Sequence, residues 1–190
     1  MNTSGFTNPG PLQLTRMCQI IRGLLLTFLF VQLGLFLLSW IIASPLSIGP
    51  MHVELGPDGM APESVHALSL LQRMVGMAVG LPGLLGLSYG IFRLGRALAN
   101  FQKGKIFAVD TIGHLRASAG AMLVSVVLFN LEKPLRGVAL HLAGSTSHYP
   151  LALEVTSNEL LLILVCSLFY LIAGVMHEGR RISEENEGFI

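Results

Sequence analysis

The chain has 190 residues, 52% of them hydrophobic and 12% charged, with a formal net charge of +1 and a mean hydropathy of +0.67. Soluble domains carry about 25% charged residues, so this composition excludes an ordinary water-soluble domain. The near-neutral balance, with no Lys or Arg tract able to follow a phosphate backbone, excludes direct nucleic-acid binding, and Cys18 and Cys166 stand apart from acidic or histidine clusters, which excludes a disulfide framework or a thiolate metal site.

The apolar residues are gathered into four long runs, the pattern a bilayer demands. The expected fold is an all-α membrane protein, a single domain over 1–190 forming a four-transmembrane-helix bundle with a small extracytoplasmic cap. The first span covers about 19–43. Arg16 and Arg22 precede its apolar core as they would in a secretory signal, but that core far exceeds a signal h-region of about 7–15 residues and reads as a retained span. Trp40 falls where an aromatic ring prefers the interface and Pro45 follows, which marks the helix end. Gln32 is the one strongly polar side chain deep in this run, suited to an interhelical hydrogen bond.

The outer loop 44–67 contains Met51–Leu55, where polar and apolar residues alternate as in a half-buried strand, and Leu151–Val155 in the other outer loop, 134–157, alternates likewise. Pairing these two short β-strands would make a cap resting on the helix ends. The second span, about 70–94, carries Gly76, Gly80, Gly83, Gly86 and Gly90 at spacings of three and four, a face for close helix approach, and Pro82, which predicts a kink. This helix is expected to run on into the inner loop 95–113 and stop near Lys103–Gly104, with Asp110 or Thr111 capping the next. The third span, about 114–133, is the weakest: its core from Ala117 to Leu131 is short, and Glu132, Lys133 and Pro134 are read as its outer end. Residues 135–142 then read as a separate interfacial turn. The fourth span covers about 158–178, followed by a polar tail, 179–190, in which Arg180 and Glu184 are four apart.

Orientation follows from basic residues, which are retained on the cytoplasmic side. Arg16, Arg22, Arg93, Arg96, Lys103, Lys105, Arg116, Arg180 and Arg181 cluster before the first span, in the loop between the second and third, and after the fourth. Both termini are therefore expected inside, as in a multi-pass protein of a bacterial inner membrane.

The outer loops supply His52, His66, His141 and His148, ligand types for a metal, but no two have a tight ligand spacing and the expectation is that they are surface residues. Gln72 and Arg73, with Asn130, Glu132 and Lys133, are expected to form an outer polar cluster with an Arg73–Glu132 ion pair. If a ligand binds anywhere, that vestibule is the first choice; the stronger expectation is that these side chains snorkel to the interface and hold no ligand. The apolar interiors of the spans carry essentially no charge, which counts against coupled transport.

Two inner segments carry a family resemblance. The loop containing Gly104, Lys105, Ile106 and Phe107, with the ending that includes Gly179, Glu185, Gly188 and Phe189, resembles the bacterial membrane protein family called domain of unknown function 2975. The resemblance implies a four-span protein, no catalytic residues, a sensory or regulatory role, and a helix-turn-helix regulator as a partner. Those positions would dock the loop against the tail. With no G-x-S-x-G, H-E-x-x-H or aspartate-rich motif at a membrane boundary, the expectation is a non-enzymatic protein without cofactor. It would act through membrane lipid and protein partners, either other copies or a cytoplasmic protein. The alternative is a small transporter or channel.

Overall fold

The computed structural model describes residues 11–42, 45–48, 51–54, 57, 60, 62–105, 108–145 and 157–187. Four long helices dominate: α1 (Pro11–Ile41), α3 (Leu70–Gln102), α4 (Val109–Leu142) and α5 (Ser157–Glu187). All four are long and apolar enough to cross a membrane, and the chain is a multi-pass membrane protein. Between α1 and α3 lie the short strands β1 (Pro45–Ile48) and β2 (Met51–Glu54), and one turn of helix, α2 (Pro62–His66). The strand expected at Met51–Leu55 is seen over Met51–Glu54, but it pairs antiparallel with β1, Ile48 opposite Met51 and Pro45 opposite Glu54. A neighbour a few residues away is the cheaper partner, because closing a short loop costs less entropy than closing a long one. The segment 151–155 lies outside the described residues.

The helices pack in the spatial order α1–α3–α4–α5, with α3 and α4 as the central pair. Consecutive contacts run antiparallel. On one side of α3, Gly76 lies under the Trp40 ring and Gly80 under Phe36; on the other, Gly80 meets Glu132, Gly83 meets Phe129, Gly86 meets Ser125 and Gly90 meets Ser118. The glycine face is thus filled by α1 and α4 of the same chain. Added Cβ atoms would fall 2.9 Å from the Phe129 ring at Gly83 and 3.3 Å from the Ser118 carbonyl at Gly90, so small residues set this spacing. Two hydroxyls tie the seam: Ser125 Oγ donates to the Gly83 carbonyl at 2.6 Å and Ser118 Oγ to the Gly90 carbonyl at 2.8 Å.

Helix α3 starts with a reciprocal cap, Ser69 Oγ accepting from the Gln72 N–H while the Gln72 side chain accepts from the Ser69 N–H. It continues through Pro82 and ends where expected, at Lys103, with Gly104 taking a left-handed φ of 71°. The next cap differs from expectation. Ala108 occupies the N-cap position of α4, and Thr111 turns its hydroxyl back to the Lys105 carbonyl at 2.8 Å. It ties the loop rather than the helix end.

The larger correction is α4 itself. It does not stop at Pro134: one helix of 34 residues runs from Val109 to Leu142 with Pro134 inside it, so 135–142 are its last two turns. A transmembrane helix tolerates such a proline because neighbours resatisfy the freed backbone. Continuity lets Leu140 join Trp40, Val65 and Leu68 in the bundle's buried apolar cluster, with Phe36, Met60 and Met77 against it. This cluster seats α2 at the end of the bundle that we term the Trp40 end. The opposite end, where α3 turns into α4, is the Arg93 end.

Candidate functional site

The depth of each polar group follows from the helix register. Arg73 and Arg93 are 20 residues apart on α3, about 30 Å of helix, which matches the thickness of a hydrocarbon core. Gly80 lies seven residues below Arg73, about 10 Å deeper. The Glu132 carboxylate is beside it: a Cβ on Gly80 would stand 3.1 Å from Glu132 Oε1. Glu132, expected at the outer boundary of a short span, therefore sits well inside the apolar zone.

A charge at that depth is costly unless paired and hydrogen-bonded. The partner is Arg136, one helical turn along α4, whose Nη1 donates to Glu132 Oε1 at 2.7 Å. Both side chains are largely enclosed, 4% and 15% exposed for Arg136 and Glu132. The expected Arg73–Glu132 pair is replaced by this one, and Arg73 instead reaches the His66 carbonyl at 3.5 Å. The i,i+4 spacing wins because it joins two groups already on one face of a rigid helix.

The pair forms one wall of a cleft of about 330 Å³ between α1 and α4. Gln32, Phe36 and Trp40 contribute from α1, and Glu132, Lys133 and Arg136 from α4. Gln32 lies two turns deeper than Trp40, near mid-membrane by the same register. Ser39, also on this wall, donates to the Phe36 carbonyl at 2.8 Å. The cleft therefore has an apolar, aromatic side and an ionic side, the make-up of a pocket that holds a small amphiphilic or polar molecule.

Of the expected outer cluster, Glu132 and Lys133 belong to this cleft and the others do not line it. Gln72 serves the α3 cap and donates to the Ala143 carbonyl at 3.3 Å. Asn130 donates to the Val126 carbonyl at 2.9 Å, and its buried Oδ1 has no partner among the described residues. His66 and His141 are exposed at the ends of α2 and α4. The His52 backbone lies in β2, while its side chain and all of His148 fall outside the described residues. Among the described residues no three His, Cys, Asp or Glu groups come together.

At the Arg93 end the polar contacts tie neighbouring helices. Arg93 donates to the Tyr89 hydroxyl at 2.8 Å and to His114 Nδ1 at 2.9 Å, bridging α3 and α4, and Arg116 donates to the Tyr170 hydroxyl at 3.0 Å, bridging α4 and α5. The expected docking of loop on tail is not made by Gly179, beside which an added Cβ would meet nothing within 4 Å. Glu185 pairs with Arg181 at 3.5 Å on α5 itself, Lys105 accepts from Thr111, and Phe107, Gly188 and Phe189 lie outside the described residues.

Arg136 does not stand out in the sequence, because Pro134 before it has the marks of a helix end. The spacing of Glu132 and Arg136 was the signal that could have found the pair. Compared with known proteins, the chain matches no protein-family model, no curated protein and no solved structure.

Proposed function

We propose that the chain is a non-enzymatic protein of a bacterial plasma membrane, of the sensory, regulatory or accessory kind. In this reading the cleft between α1 and α4 receives a small ligand, and the tied α3–α4 pair passes its occupancy to a protein partner at the Arg93 end. The observation that supports it is the Glu132–Arg136 pair, its carboxylate about 10 Å below the level of Arg73 and facing a cleft. An apolar pair at these positions would fill the same space at less desolvation cost, so a role in meeting something in the cleft accounts for charge there. Both termini inside, and kinship with the family resembled by the inner loop and tail, are parts of the same proposal.

The test is crosslinking and co-purification of the full chain after gentle extraction, from wild type and from E132L/R136M. The reading expects a partner with wild type and a changed yield of that partner with the double variant. Recovery of the monomer alone would overturn it. The transport alternative is favoured by Gln32 lying near mid-depth in the cleft. Below the cleft, however, the Gly83–Gly90 seam of α3 is closed on α4. A membrane-impermeant thiol reagent should modify Q32C and spare L25C; modification of both would favour conduction.

A further inference from the structure

We propose that a groove between α1 and α3 at the Arg93 end binds one anionic phospholipid, with the headgroup phosphate between Arg22 and Arg96 and an acyl chain in the apolar channel beneath. The groove encloses about 240 Å³. Leu25, Leu26 and Leu29 line it from α1 and Phe92 from α3, and the two arginines stand one on each wall. Arg22 to Leu29 is seven residues, about 10 Å, so the apolar part descends from a cationic rim into the hydrocarbon layer. A phosphate with a chain attached has that shape and polarity.

The two arginines are available. Arg96 stacks its guanidinium on the Phe92 ring, 4.5 Å from the centroid, which fixes its plane and leaves its N–H edge to donate. Neither Arg22 nor Arg96 is in an ion pair among the described residues. The basic cleft between α4 and α5 makes the contrast: Arg116 is bonded to Tyr170, and Arg181 is paired with Glu178 and Glu185. Charge complementarity therefore favours the α1–α3 groove, and basic pockets between transmembrane helices are where anionic headgroups settle. A zwitterionic lipid offers the same phosphate, but its cationic head would face two arginines. Gly95 lies in the groove, and a Cβ there meets nothing within 4 Å.

The test is native mass spectrometry of the full chain in mild detergent, titrated with dioleoylphosphatidylglycerol, dioleoylphosphatidylcholine or inorganic phosphate. The expected result is one retained phosphatidylglycerol with a preference of at least about tenfold over phosphatidylcholine. R22Q/R96Q should abolish the preference, R116Q should keep it, and G95L should lower occupancy by both lipids by filling the channel. Equal binding of the two lipids by wild type, retention of the preference in R22Q/R96Q, or displacement by inorganic phosphate as effective as by phosphatidylglycerol would each overturn the proposal. Emission from Trp40, at the far end of the bundle, reports whether each variant keeps its fold. If R22Q/R96Q does not, the wild-type preference and G95L decide.

Discussion

The pairing of Glu132 with Arg136 makes a prediction that separates the cost of a broken ion pair from the worth of an intact one. Substituting either partner alone, E132L or R136M, breaks this largely enclosed ion pair, at a cost of about 3–5 kcal/mol. Replacing both takes both charges out of the enclosed site, so E132L/R136M should unfold within a few degrees of wild type while each single variant unfolds markedly earlier. Thermal unfolding of detergent-solubilised protein, followed by Trp40 emission, measures all three. Single variants as stable as wild type would mean that the pair is not held inside the span. Glycine positions give a second contrast at this scale. A Cβ on Gly76 would run into the Trp40 ring, whereas one on Gly95 meets open space. G76L should therefore cost at least about 1–3 kcal/mol through overpacking and shift Trp40 emission, and G95L should leave both stability and emission close to wild type.

Between helices, the α3–α4 seam combines close backbone approach with two hydroxyl bonds, and the two contributions should differ in size. Interhelical hydrogen bonds in membranes average about 0.6 kcal/mol, so S118A and S125A should each lower stability only slightly. G86L, which forces a side chain against Ser125 and the Ala121 carbonyl, should cost several times more; denaturation of the three variants in the same detergent gives the order. A hydroxyl variant as damaging as the glycine variant would show that bonding rather than approach sets the seam. This seam was legible in the sequence because small residues at spacings of three and four have a direct steric meaning. The course of α4 was not. Pro134 and its charged neighbours carry the marks of a helix end, and the marks are reliable in water, where a broken helix can expose its backbone. Inside a bundle the helix has no such outlet, so it runs on, and the charges pair along one face instead of marking a boundary. The partner of β2 was hidden for another reason: alternation shows that a strand is half-buried but carries no record of its neighbour.

Across the whole molecule, the order α1–α3–α4–α5 leaves α1 and α5 as flanks whose apolar faces stay largely open, as lipid-facing helices do. The two ends are unequal in charge. Of the 12 Lys and Arg residues, only Arg73, Lys133 and Arg136 belong to the Trp40 end, and Arg136 is committed to the cleft. The remainder gather at the Arg93 end, in or beside short connections where basic residues resist translocation. Because the long helices alternate in direction, one orientation decides every segment: the Arg93 end inside places both termini and the α3–α4 loop in the cytoplasm, and the β1–β2 hairpin and the cleft mouth outside. A reporter active only in the cytoplasm should then work when fused after Ile190 or within the 103–108 loop, and fail when inserted after Asp58. The reverse pattern would invert the molecule, place the cleft mouth on the cytoplasmic side and move the Arg22–Arg96 groove to the outer leaflet. The groove itself would survive that result, since it needs an anionic phosphate and an acyl chain in whichever leaflet it faces. The proposed relay from the cleft to a cytoplasmic partner at the Arg93 end would not.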